Sequence, residues 1–138
     1  MSSEKQPVYL WIMAIVAMAF GVLTLKSGGA VLFFDDEARA AAGDYVPFVL
    51  WFNFVAGFAY ILAGVGLIMR KHAAAKLAMV IAVATLAVFA AFGVYILSGG
   101  AFEMRTVVAM SIRSLVWVTI ALFAWRWARS MTTLQPAA

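Results

Sequence analysis

Arg113 is the residue whose chemistry stands out. It lies in an apolar stretch, Thr106–Trp125, roughly 10 Å from its start at 1.5 Å per residue. A charge at that depth costs ~2.5 kcal/mol or more to insert. Arg113 must therefore face a bundle interior or a polar cavity, or else snorkel outward to lipid phosphate. None of the four apolar stretches contains Asp or Glu. Its partners are then Asn53, backbone carbonyls, Trp117 one turn on through a cation–π contact, or a bound anion. Asn53 stands near the start of the second apolar stretch, at a depth close to that of Arg113. With Gly57, Tyr60 and Gly64 it follows a spacing of 4, 3 and 4, which is one helix face. Two readings follow. Asn53 makes an interhelical hydrogen bond that holds the bundle, or Asn53, Tyr60, Arg113 and Trp117 line a ligand cavity open to the outside.

The remaining polar residues carry less. Ser111 and Ser114 flank Arg113 and can bond back to their own helix. Asp35, Asp36 and Glu37 read as a solvated helix N-terminus rather than a cation site. His72, beside Arg70 and Lys71, reads as an exposed loop residue near anionic headgroups. No nucleophile–base pair, phosphate loop or metal-ligand spacing is present, so no catalytic or metal residue is assigned and an enzyme is disfavoured. With no Cys and one His, no haem, metal or Fe–S cluster is expected. A quinone or a lipid is the kind of cofactor left open.

The elements that position these groups follow from composition. Of 138 residues, 67% are hydrophobic and 12% charged, with a mean hydropathy of +1.03. A soluble domain is about half apolar and a quarter charged, so lipid must be the solvent for much of this surface. Residues 8–25, 48–69, 77–97 and 106–125 are each near the ~20 residues that cross a bilayer as helix, and helix satisfies the backbone there. The expected fold is a single all-α domain over residues 1–138, a four-helix transmembrane bundle with a long outer link over 26–47. The first stretch could instead be a signal peptide, with Gly28-Gly29-Ala30 as its small-residue site. Its apolar run is long for that, and Glu4 offsets Lys5.

Charge sets orientation. Lys5, Arg70, Lys71, Lys76, Arg126 and Arg129, six of ten basic residues, fall on one side. The positive-inside rule places both termini in the cytoplasm of a bacterial inner membrane. Ten scattered basic residues do not make a nucleic-acid surface. In the outer link Asp35 or Asp36 can cap a short helix over Glu37–Ala42 ended by Gly43. Ala30–Phe34 is apolar and suits the interface, and Pro47 suits the first turn of the second span. Trp11, Tyr45, Trp51, Trp125 and Trp127 lie near span ends and read as interfacial anchors. Ala14, Ala17 and Gly21, and again Ala84, Ala87 and Ala91, read as close-packing faces. Residues 19–30 and 91–101 echo each other, both ending in Ser-Gly-Gly-Ala. The echo points to two helical hairpins related by a pseudo-twofold axis, or to shared helix-stop chemistry.

Gly21 to Lys26 at the close of the first span, and the run Asn53-Phe54-Val55-Ala56-Gly57-Phe58-Ala59-Tyr60-Ile61-Leu62-Ala63-Gly64-Val65-Gly66-Leu67, resemble the DoxX-like family of small four-helix bacterial membrane proteins. The resemblance implies association with membrane oxidoreductase complexes, including quinone-linked ones. That family usually carries a Glu where Asn53 stands, a departure that bears on any proton-linked or redox role. The small multidrug-resistance exporters need a Glu in the first span, which is absent. Fluoride channels share the Asn of the second span but expect a Thr/Phe/Ser-rich third span, which Ala82–Phe92 does not supply. The expected function is a non-catalytic accessory subunit of a membrane complex. The alternative is a small oligomeric transporter or channel for an anionic solute recognised by Arg113. Partners are the lipid bilayer and a second copy or a complex partner, not nucleic acid.

Overall fold

The structure, a computed structural model, describes residues 8–34 and 36–134. Four long helices, α1 (Val8–Gly29), α3 (Pro47–Ile68), α4 (His72–Leu97) and α5 (Met104–Leu134), form an antiparallel bundle. Each contains a window apolar enough to cross a membrane. A π-helical turn, Ala30–Phe34, and a short helix, α2 (Asp36–Ala42), join α1 to α3. The chain is an all-α four-helix transmembrane bundle. The end carrying α2 is called here the strap end. The opposite end, with Arg70, Lys71, Lys76, Arg126 and Arg129, is the basic end.

Neighbours in sequence are neighbours in space: α1 packs on α3, α3 on α4 and α4 on α5. The tightest seam is α1–α3, where small residues let backbones approach. A Cβ on Gly21 would stand 2.6 Å from Ile61 Cγ1 and 2.7 Å from Gly57 O, and one on Gly64 would stand 2.9 Å from Ala14 O. Ala14 and Ala17 are fully buried in this seam. The core centres on Tyr60 and Trp117, with Leu10, Leu67, Ala63, Ala78 and Ile120 around them. A smaller cluster of Val46, Val49, Phe92 and Met110 packs toward the strap end.

The outer link follows the sequence reading in part. Gly43 ends α2 in the left-handed region, φ +65°, with its N–H donating to Ala40 O (3.2 Å). Pro47 stands in the first turn of α3 after Val46. Asp35, one of the two candidate caps, lies outside the described residues, and Asp36 is the first residue of α2. Phe33 lies edge-on to Trp51 and Phe54, at 5.7 and 5.5 Å.

Several expectations need correction. α1 runs one turn past Leu25, α4 begins at His72, and α5 runs well past Trp125. Helix geometry does not stop where the hydrocarbon ends, so polar and basic residues continue it. His72 is thus the exposed first residue of α4, in ring contact with Trp127 at 5.9 Å. Trp127 is not an anchor: it follows Trp117, Ile120 and Ala124 at a spacing of 3 to 4 and is buried with them. Trp11, Trp51 and Trp125 remain exposed as anchors should be. Ala87 and Ala91 are exposed and Ala84 is half-buried, so the buried face of α4 is Ala74, Ala78, Ile81, Thr85 and Phe92 instead.

The two echoed segments adopt different structures. Around Ser98-Gly99-Gly100 the chain ends α4: Gly99 is left-handed, φ +91°, and Gly99 and Gly100 N–H groups donate back to Ile96 and Tyr95 carbonyls. Ser27-Gly28-Gly29 instead stays in α1, because both glycines are buried against Phe54 of α3. Gly21 seals a helix seam, whereas its counterpart Gly93 has nothing within 4 Å of a built Cβ. The chain forms two helical hairpins, but the shared tripeptide is no structural repeat.

This seam yields a paired test. Gly21→Ala should lower stability by about 1–3 kcal/mol through overpacking, read as a lower thermal midpoint in detergent by tryptophan fluorescence. Gly93→Ala should leave the midpoint unchanged or slightly raised, since helix propensity favours Ala. Equal midpoints for the two variants would show that the α1–α3 contact is not close.

Candidate functional site

Arg113 faces the bundle interior. One of its terminal nitrogens donates to Thr24 Oγ1 on α1 (3.0 Å) and to Tyr60 Oη on α3 (3.3 Å). Its guanidinium carbon stands 5.6 Å from the Phe20 ring centroid and 5.8 Å from that of Tyr60. A single side chain thus ties three helices together. Among the described residues Arg113 makes no ion pair, and no acid occurs within α1, α3, α4 or α5. Neutral hydroxyls and ring faces therefore hold a charge that nothing in the bundle neutralises. Trp117 does not take the cation–π role expected of it. It is fully buried and stacks on Tyr60, centroids 4.7 Å apart and planes 28° apart, so it braces the tyrosine that Arg113 binds.

Arg113 bonds Thr24 and Tyr60 rather than Asn53, which stands two turns before Tyr60, about 10 Å along α3. There Asn53 lines a cavity of about 450 Å³ at the strap end, with Ser27, Tyr45, Glu103, Arg105, Thr106 and Ala109. Helix register joins this vestibule to the arginine cluster. Ser27 is one turn from Thr24, and Ala109 is one turn from Arg113. The vestibule floor and the guanidinium are thus about one helical turn apart.

Four buried polar atoms have no hydrogen-bond partner among the described residues: Asn53 Oδ1, Arg113 Nε, Ser114 Oγ and Trp117 Nε1. Buried polar groups are paired in the large majority of cases, and leaving one unpaired costs about 1–3 kcal/mol. Ser111 bonds back to Val107 O (2.8 Å), as expected, but Ser114 does not. The orphans on α5 are donors or can act as donors, so the cluster suits a ligand with acceptor oxygens. On the basic-end side the Tyr60–Trp117 stack and the alanine-rich core close the bundle.

The strap roofs the vestibule. Arg105 donates to Ala41 O at the end of α2 (2.7 Å), and Glu103 Oε1 accepts from Asp44 N–H (3.2 Å). Arg39 donates to Val31 O (3.1 Å) and Leu32 O (3.3 Å), satisfying carbonyls of the π-helical turn. A Cβ on Gly43 would collide with Glu103 Oε1, so the left-handed glycine also makes room for the clasp.

Sequence reasoning missed Thr24, Phe20, Glu103 and Arg105. Thr24 was findable, because it continues the face of Ala14, Ala17 and Gly21 at a spacing of 3, 4 and 3. The other three needed the packing of α1 and α2 against α5. Fold and site define a small membrane bundle with a cation that makes no ion pair among the described residues, about one turn from a vestibule at the strap end. Comparison of the chain with known protein families, with curated proteins and with solved structures finds no match.

The clasp is testable by hydrogen exchange. Glu103→Ala should speed exchange of the Asp44 amide about fivefold, the worth of one net hydrogen bond, and Glu103→Gln should change it less. Unchanged exchange in Glu103→Ala would mean that the strap is held without it.

Proposed function

We propose that the protein is a non-catalytic membrane subunit that binds a small anionic or carbonyl-bearing solute at Arg113, admitted through the vestibule. The observation that carries this reading is the part-buried guanidinium, which has no ion pair among the described residues and whose Nε–H lacks an acceptor, about one helical turn from the vestibule. A quinone headgroup belongs to this ligand class, since its carbonyls accept hydrogen bonds without a charge, and the resemblance to the DoxX-like family points the same way. Thr24 and Tyr60 occupy one terminal nitrogen, which leaves the Nε–H of Arg113 for the ligand. The closed core beneath the cluster favours binding over a permeation path. The exposed Ala87 and Ala91 of α4 support an accessory role, because a bare helix face lets a partner helix approach closely. In this reading the basic end and both termini face the cytoplasm of a bacterial inner membrane, and the vestibule faces outward.

Orientation can be tested without background, because the chain has no cysteine. An impermeant maleimide applied to intact cells should label Ala101→Cys at the strap end and spare Ala73→Cys at the basic end. The reverse pattern would turn the vestibule toward the cytoplasm.

Ligand recognition is tested on Arg113 itself. Titration of purified protein with sulfate, phosphate and a water-soluble quinone should quench tryptophan fluorescence for at least one probe. Arg113→Ala should weaken that response more than tenfold, the usual penalty for losing a charged hydrogen bond of ~1.5–3 kcal/mol, and Arg113→Lys should weaken it less. No response to any probe, with native mass spectra identical for wild type and Arg113→Ala, would return Arg113 to a purely structural role.

A further inference from the structure

A second site is carried by the seam between α1 and α5, which parts along its middle. α1 and α5 touch at two levels. Near the basic end Tyr9 packs on Phe123, with centroids 5.9 Å apart, and toward the strap end Arg113 reaches Thr24 and Phe20. From Arg113 to Phe123, ten residues on, α5 rises about 15 Å. Over that length the helices part, leaving a crevice of about 280 Å³. Ile12, Met13 and Val16 line it from α1, and Leu115, Val116 and Ile120 from α5. The remaining lining residue, Thr119, spends its hydroxyl on Leu115 O (2.8 Å). The crevice therefore offers a ligand no unspent polar group among its lining residues.

We infer that this crevice holds one acyl chain of an acidic phospholipid whose phosphate sits on Arg126. The occupant is set by shape first. A helix with side chains is about 10–12 Å across and cannot enter a gap bridged at both ends, whereas a single hydrocarbon chain can. Charge then sets the headgroup. Arg126, Leu122, Thr119 and Leu115 follow a spacing of 4, 3 and 4, so the arginine stands on the crevice face of α5. Arg126 is exposed and makes no hydrogen bond or ion pair among the described residues. Leu122, between it and the crevice, is 57% exposed and extends the apolar track. On α1, Val8 and Ile12 extend it in parallel, 72% and 56% exposed. Trp125 beside Arg126 is also exposed, as befits the headgroup level. The basic end carries no acid among the described residues, so a lipid phosphate meets no repulsion there.

Native mass spectrometry tests the site, with detergent-purified protein titrated with phosphatidylglycerol or phosphatidylcholine of identical acyl chains. Wild type should retain phosphatidylglycerol about fivefold better, the worth of one basic side chain at an anionic headgroup. Arg126→Gln should erase that preference, and Lys76→Gln at the same end should leave it. Val16→Phe, which fills the crevice, should reduce retention of both lipids. Equal retention of the two lipids by wild type, or a preference that survives Arg126→Gln, overturns the inference. So does a preference lost equally in Lys76→Gln, which would make it a diffuse charge effect. Undiminished retention in Val16→Phe, or a wild-type dimer that Val16→Phe abolishes, would overturn the acyl chain as occupant.

Discussion

The close approach of α1 and α3 is the constraint on which the site depends. Gly21 faces the Gly57 carbonyl, and Gly64 faces that of Ala14. A side chain at these points would push the helices apart and break their register. That register brings Thr24 and Tyr60 within reach of one guanidinium nitrogen on a third helix. Arg113 could not satisfy both acceptors across a wider seam. In lipid, where hydrophobic burial gives helices little reason to associate, such close packing with a few interhelical hydrogen bonds supplies most of the specificity.

The same contact explains how a charge persists inside an apolar bundle. A buried cation is ordinarily matched by a carboxylate, and the four long helices contain none. Hydroxyl acceptors and ring quadrupoles stabilise the guanidinium without neutralising it. Trp117 contributes at one remove, by fixing the plane of the tyrosine that Arg113 touches. The charge is thus held in position and kept free to attract. Its position one turn below the vestibule, with a packed core on the far side, gives the attraction a direction.

How far this was legible in the sequence depends on the kind of pattern involved. Apolar runs gave all four spans and the all-α class, because backbone satisfaction in lipid leaves few alternatives. The face bearing Asn53, Gly57, Tyr60 and Gly64 was readable from spacing alone, whereas the sequence left Arg113 open between the bundle interior and snorkelling to lipid, a choice made by its bonds to Thr24 and Tyr60. Trp127 and the alanines of α4 were misplaced for one reason. Residue type suggests an interface or a packing face, but the rotation of each helix about its axis decides which side is inward. That rotation is set by neighbours, which a single sequence does not order. Spacing did not say which member of the Asn53 face Arg113 would bond: it reaches Tyr60, two turns further along α3. Ser-Gly-Gly was ambiguous for a related reason. It ends a helix when exposed, at 98–100, and continues one when Phe54 lies across it, at 27–29.

The helix hairpins also divide the labour between the bundle's two ends. Acidic and neutral polar groups gather under the strap, where Glu103 and Arg105 clasp the short helix over the vestibule. Basic groups gather at the other end, where they meet headgroups. The α1–α5 seam runs between the two ends and, like the Tyr60 contacts of α5, joins the hairpins by side chains. Arg113 is the strap-end bridge of that seam and also the centre of the polar cluster. A ligand that draws the guanidinium away from Thr24 would therefore loosen the bridge, and a chain lodged in the crevice would press on it from the other side.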